Sequence, residues 1–159
     1  MTLYLGIDPA STTQPGYAVL DVSHRGGALA VEYVRVVYLG EYPPPGPVDV
    51  AAVEGQWFGG PMGAQRTATL AFDAGYRLAK VDAPIKYRIP PQAWRKVLWP
   101  TNGGSLPKAV VVARLRQLLD LESRGTDDEI EAAGIALAVA RSSAKGLKKY
   151  LILKDGSNA

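Results

Sequence analysis

From its N-terminus the chain alternates apolar and other positions with a period of two. Leu3, Leu5 and Ile7 fall on one side of an extended segment, and Tyr4, Gly6 and Asp8 fall on the other. Asp8 stands at the exit of that strand. Pro9 and the polar stretch Ala10 to Gly16 break it, and the apolar run Tyr17 to Leu20 resumes, so the two runs predict a hairpin. After a turn at His24 to Gly27, the β-branched and aromatic run Val31 to Leu39 predicts a third strand. Four prolines between Glu41 and Pro47 cannot continue a ladder and mark a surface crossover. Val48 to Val53 predicts a fourth strand that again ends on an acid, Glu54. Gly55 to Gly63 reads as a loop carrying Trp57 and Phe58, Ala64 to Lys80 has helical spacing, and Pro84 to Ile89 predicts a fifth strand. The order βββαβ implies a mixed five-stranded sheet with a right-handed crossover between parallel strands.

The second half is more helical. Behind Pro90 and Pro91, the segment Gln92 to Leu98 brings Trp94, Arg95 and Lys96 together, and Trp99 to Gly104 is loop. Ser105 as N-cap, with Pro107 just inside, predicts an amphipathic helix through Leu106, Val110, Ala113, Leu115 and Leu118 to about Leu121. Lys108 then occupies the first turn, where the helix dipole disfavours a cation. It is either an exposed lysine tolerated at small cost or a cation placed for an anionic ligand. Thr126 to Glu129 forms a capping box. Asp128 and Glu131 lie three apart on one face with Ala132, Ile135 and Val139, while Ile130, Ala133, Gly134 and Leu137 make the opposite face apolar too. A helix apolar all round is buried, so Glu131 is expected to face the interior, where only a metal or Lys108 offers itself as partner. Beyond Ala140 come Arg141, Lys145, Lys148 and Lys149, a short apolar stretch, and a polar tail expected to fray from about residue 155.

Composition narrows the chemistry. The 159 residues are most simply one domain, and no run approaches the roughly 18 apolar residues of a membrane span. The chain has no cysteine and a single histidine, His24, so thiolate and histidine-rich zinc sites are excluded. Any metal must be a hard, oxygen-bound cation, magnesium or manganese. Residues 1 to 73 hold 3 arginines and no lysine against 7 acids, whereas residues 74 to 149 hold 14 lysines and arginines against 7 acids. Such asymmetry fits a polyanionic partner, or simply a solvated basic surface. Asp8 is likewise open to two readings, a turn aspartate before proline or a metal ligand. Four acids, Asp8, Glu54, Asp128 and Glu131, nevertheless come from two strand ends and one helix start. An oxygen-only site of that kind suits two divalent ions about 3.5 to 4 Å apart, for phosphodiester hydrolysis.

GIDPAST with GYAVL, VAAVEGQWF, SLPKAVVV and DEIEAAGIALA stand in the order and spacing that resembles RuvC-type Holliday junction resolvases, proteins of the ribonuclease H-like fold. PQAWRKVL further looks like the short resolvases encoded by phages. The resemblance spans nearly the whole chain, read as one domain over residues 1 to 159. It implies a magnesium-dependent crossover junction endodeoxyribonuclease of recombination and repair, working as a homodimer on four-way DNA by paired symmetric nicks. Asp8, Glu54, Asp128 and Glu131 then become metal ligands and Lys108 the lysine at the scissile region. Trp57 falls where the family stacks an aromatic on a base, worth about 1 to 3 kcal/mol, and Phe58, Arg95 and Lys96 join it as DNA-binding residues. With no leader-like N-terminal segment and no cysteine, a cytoplasmic setting in a bacterial or phage-infected cell is expected. Three features depart from the family: Ala10 in place of the usual glycine, a loop one residue longer, and Glu131 where bacterial members have aspartate. Asp127 is an alternative to Asp128. A related nuclease of flaps, branched DNA or RNA would keep the same acids, and an actin-like ATPase shares the opening motif but needs two such domains.

Overall fold

The computed structural model of the protein describes residues 1–9, 14–26, 30–55 and 64–154. A six-stranded mixed sheet is built from β1 (Thr2–Asp8), β2 (Gly16–His24), β3 (Val31–Gly40), β4 (Val50–Glu54), β5 (Ile85–Ile89) and β6 (Leu151–Lys154), in the order β3-β2-β1-β4-β5-β6. β1 pairs antiparallel with β2 and parallel with β4, and β4 pairs parallel with β5. The helix α1 (Ala64–Ala79) joins β4 to β5; α2 (Pro91–Leu98), α3 (Lys108–Leu118), α4 (Asp127–Ala140) and the short α5 (Ala144–Leu147) follow β5. The expected α/β architecture and the βββαβ order are present. Among the described residues no helix is long and apolar enough to cross a membrane.

The period-two reading of β1 accounts for both layers of the core. Leu5 and Ile7 are buried with Val19, Val53 and, from α1, Ala74 and Leu78. The other face is covered by α4. Register puts Gly6 opposite Ala18 of β2 and Ala52 of β4, so a row of the smallest residues crosses the three central strands. Ala132, Ala133 and Ala136 of α4 join Ala18 and Ala52 in this second core. A Cβ on Gly6 would overlap the Ala132 carbonyl, and one on Gly16, opposite Asp8, would overlap that of Asp128. Small residues on both sides therefore let helix and sheet backbones touch. At the far end His24, the last residue of β2 rather than part of a turn, has Nε2 2.8 Å from the Ala140 carbonyl. That oxygen can only accept, so the ring nitrogen carries the proton.

Three expected details are corrected. Ser105 does not cap a helix beginning at Leu106: α3 starts at Lys108 with Pro107 at its N-cap. A residue before proline avoids the helical region, and Leu106 is extended at φ −67°, ψ 135°. Ser105 instead closes the 3-10 turn Gly103–Ser105, its hydroxyl donating to the Asn102 carbonyl at 3.0 Å. The helix ends short of Leu121 because Asp120 takes φ 54°, a left-handed conformation, after which Leu121 returns to the core. The sheet also has a sixth strand. Leu151–Lys154 pairs antiparallel with the edge of β5, Leu151 opposite Tyr87 and Lys154 opposite Ile85. Four residues carry too short a pattern to be read without the partner strand.

The glycine seat generates a test. Gly6→Ala should cost about 3 kcal/mol, because backbone atoms rather than a flexible side chain must move aside. For a domain of this size that corresponds to a melting temperature lower by about 6 to 12 °C. Ala18→Gly, which only removes a methyl from the same row, should cost less than half as much in the same calorimetric comparison.

Candidate active site

Three acids meet where α4 begins over the end of β1. Asp8 lies on the face of β1 that α4 covers, and the start of α4 is fixed by its capping box: Thr126 Oγ1 accepts from the Glu129 amide at 3.3 Å, and Glu129 Oε2 accepts from the Thr126 amide at 3.1 Å. Capping consumes Glu129. Asp127 points elsewhere, 3.3 Å from Arg116 Nη2 and largely exposed. Asp128 and Glu131, one helical turn apart, are left to face Asp8. Ligand oxygens of Asp8, Asp128 and Glu131 all lie within 4.8 Å of one another. Asp8 and Glu131 are buried, and the Asp128 side chain keeps 13% of its exposure. Of the two adjacent candidates, then, Asp128 and not Asp127 enters the cluster.

Two cations answer these carboxylates. Lys108 Nζ, in the first turn of α3, lies 2.8 Å from Asp128 Oδ1 and 2.9 Å from Glu131 Oε2. Arg95 Nη2 donates to the other oxygen, Glu131 Oε1, at 2.8 Å. Partial burial lowers the proton affinity of Lys108, but the bonds to Asp128 and Glu131 outweigh it and hold the ammonium well above the ordinary lysine range. It stays charged at any physiological pH. The unfavourable position in the helix dipole is thus compensated by the acids of the facing helix.

Glu54 ends β4 and is buried. It does not belong to the 4.8 Å group, and its Oε2 accepts from the Trp94 indole N–H at 2.8 Å. Burial pushes its carboxyl up to about 7; the Trp94 hydrogen bond opposes that shift, the Glu131 charge adds to it, and Arg95 and Lys108 oppose it again. Consecutive residues of α2 therefore hold two different acids, Trp94 the one on β4 and Arg95 the one on α4. The guanidinium carbon sits 5.3 Å from the indole ring. Sequence reading placed Trp94, Arg95 and Lys96 together but gave Arg95 to DNA and Trp94 no role. Counting the needs of the buried acids would have found both, since Glu54 and Glu131 each require a donor on a neighbouring element. Lys96 turns away from the cluster and is exposed. Trp57 and Phe58 lie outside the described residues.

Chemically, the cluster is a set of three carboxylates with no nitrogen or sulfur donor among them, the chemistry that suits a hard divalent cation. Glu54 lies close enough for its charge to be coupled to Glu131. With a folded-state value near 7 against an ordinary 4.5, Glu54 holds its proton longer in the folded chain than in the unfolded one. Between those two values the unfolded state has fewer protons, so this residue's contribution makes stability fall as pH rises from about 4.5 and level off above about 7. Glu54→Gln should remove that slope. Urea denaturation at intervals from pH 5 to 8 in chelator-containing buffer, run on both proteins, measures it; parallel curves would mean that Glu54 titrates normally.

No protein-family model and no curated protein matches the chain. Solved structures of one protein, RuvC of Thermus thermophilus, are among those similar to it. A Thermus thermophilus RuvC structure aligns over 91% of this chain and 97% of its own, with TM-score 0.57 and 22% identity. T. thermophilus RuvC in complex with a Holliday junction substrate aligns over 87% of this chain and 93% of its own, with TM-score 0.53 and 19% identity. The sheet, the helices that cover it and the helix that brings Asp128 and Glu131 to Asp8 thus make up a RuvC-like fold.

Proposed function

We propose that the protein is a divalent-metal-dependent endonuclease that resolves four-way DNA junctions. The observation that carries this reading is the Asp8, Asp128 and Glu131 cluster at the end of the central strand of a RuvC-like fold. One of the similar structures is described as bound to a Holliday junction substrate, which favours branched DNA over other phosphodiesters. The donor set fits magnesium or manganese held by Asp8, Asp128 and Glu131 with Glu54 alongside. When bound, two such ions supply an activated water and charge stabilisation at the leaving oxygen.

The chain's own residues have separable parts in this scheme. Arg95 and Trp94 fix the orientation of Glu131 and Glu54, so these carboxylates need not reorganise. Lys108, with 53% of its side chain exposed, keeps its charge and can reach from Asp128 toward a phosphate oxygen. Trp57, three residues after Glu54, is our choice for stacking on an opened base, with Phe58 beside it in sequence. Asp8→Asn is expected to lower cleavage of a synthetic junction in magnesium at least about a hundredfold while leaving junction binding at fixed salt intact. Near wild-type cutting by that variant would remove Asp8 from the site.

Flap, branched-DNA or RNA cleavage is the second reading, since it uses the same acids. Competition among junction, flap, duplex and RNA–DNA hybrid separates the two: we expect the junction to be cut fastest, and a preference for flap or hybrid would reassign the substrate. ATP hydrolysis without strand cleavage would favour the actin-like alternative.

Two coordinated nicks on a two-fold symmetric substrate call for two sites related by the same axis, hence a homodimer. Helix α1 supplies an apolar surface, with Phe72 77% exposed and its ring stacked 6.5 Å from that of Tyr76. Val110 and Leu118 of α3 are exposed as well. We expect a dimer by sedimentation at micromolar concentration. Phe72→Glu should weaken it and turn paired incisions into single ones, and a wild type that stays monomeric on DNA would exclude the two-site scheme.

A further inference from the structure

Adjacent cations on α2 point in different directions. Arg95 is committed to Glu131, whereas Lys96 lines a groove of about 450 Å³ between α2 and the segment that follows α4. Arg141 and Lys149 enter the same groove, and no carboxylate lines it. None of these three cations makes an ion pair among the described residues, while Arg35, Arg77, Arg95, Lys108 and Arg116 each do. Three like charges gathered in one concavity repel each other, and the groove offers no acid to offset them. An anion would relieve that repulsion. The groove's floor is apolar, with Val97 and Leu147, and Tyr150 stands at its side with Lys149 Nζ 5.0 Å from the ring.

The remaining polar groups decide what kind of anion it takes. Ser142 Oγ donates to the Ala138 carbonyl at 2.7 Å, and Ser143 Oγ accepts from the Gly146 amide at 3.0 Å. Ser142 spends its proton within its own turn and Ser143 keeps its own for a ligand oxygen, so recognition falls to the cations with a hydroxyl donor beside them. That is the chemistry of sequence-independent backbone contact rather than of base reading. Arg141 caps α4 ten residues beyond Glu131, a distance of about 15 Å along the helix axis. The same span covers about 4 nucleotides of one DNA strand.

Resting on the nuclease reading above, we propose that the Lys96, Arg141 and Lys149 groove is a second, non-catalytic phosphate subsite, which holds the backbone of a duplex arm about 4 nucleotides from the cut. It anchors the arm while the carboxylate cluster meets the branch.

The test compares wild type with the triple variant Lys96→Gln, Arg141→Gln, Lys149→Gln and with the charge-preserving triple variant Lys96→Arg, Arg141→Lys, Lys149→Arg. Binding to a plain duplex and to a four-way junction is measured over a sodium chloride series, with a melting curve for each protein. For the glutamine variant we expect wild-type melting, at least tenfold weaker binding at low salt, and a slope of log affinity against log salt shallower by about 2 to 3, as for two or three lost phosphate contacts. The charge-preserving variant should keep the wild-type slope. An unchanged slope in the glutamine variant, equal losses in both variants, or a wild type that binds neither DNA would overturn the groove. Junction cleavage by wild type with an unchanged slope leaves the nuclease reading standing without the groove. A slope that falls as expected in a protein that cuts no branched DNA does the reverse.

Discussion

Helix α4 can rest on the middle of the sheet because Gly6 and Gly16 present no side chain to it, and the candidate site follows from that contact. With any Cβ at those two positions the helix backbone would have to lift off, and Asp128 and Glu131 would move away from Asp8 with it. The neighbours Ala18 and Ala52 extend the flat strip across β2 and β4. Spacing within the acid cluster is thus set by backbone against backbone, the stiffest kind of packing in a protein interior. Side-chain packing adjusts by rotamer changes. A helix lying directly on strand backbone has no such slack.

Electrostatics works against this geometry and has to be compensated locally. Bringing Asp8, Asp128 and Glu131 together in a buried place is unfavourable without cations. Lys108 and Arg95 meet Glu131 from both oxygens, and the partial burial of Lys108 is tolerable because Asp128 and Glu131 hold it protonated. Glu54 illustrates the remaining cost: a single indole hydrogen bond does not cancel its burial, and its proton affinity rises. Breaking one member of such a set leaves a buried charge without its counterpart, a larger loss than the pair's net contribution to stability.

Much of this was legible in sequence, for reasons that differ by element. Strand β1 and the acids at the ends of β1 and β4 are local in pattern, since alternation and chain-breaking residues name them without reference to anything distant. The capping box likewise fixed the start of α4, and the apolar circumference of that helix announced that Glu131 would be inside. What escaped depends on long-range partners. β6 exists because the edge of β5 is there to receive it, and four residues of its own say too little. Ser105 looked like a cap because serine before an apolar run often is one, but the proline two residues later moved the start of α3. Arg95 looked like a DNA contact because an arginine beside a tryptophan on a basic segment carries no mark of the acid it will meet 36 residues further on.

The pairing of Trp94 with Glu54 and of Arg95 with Glu131 makes α2 a spacer between a strand and a helix that are not neighbours in sequence. Successive residues on a helix diverge by about 100°, so one rigid turn sets both the separation and the relative orientation of the two carboxylates. The two acids cannot drift independently, because a displacement of α2 carries both donors with it. Failure at this corner of the molecule is therefore all-or-none rather than graded. The same rigidity reaches the connections on either side of α2: Pro90 alone joins it to β5, and beyond it a Cβ on Gly103 would overlap the Arg95 carbonyl, so neither link can change without shifting the helix.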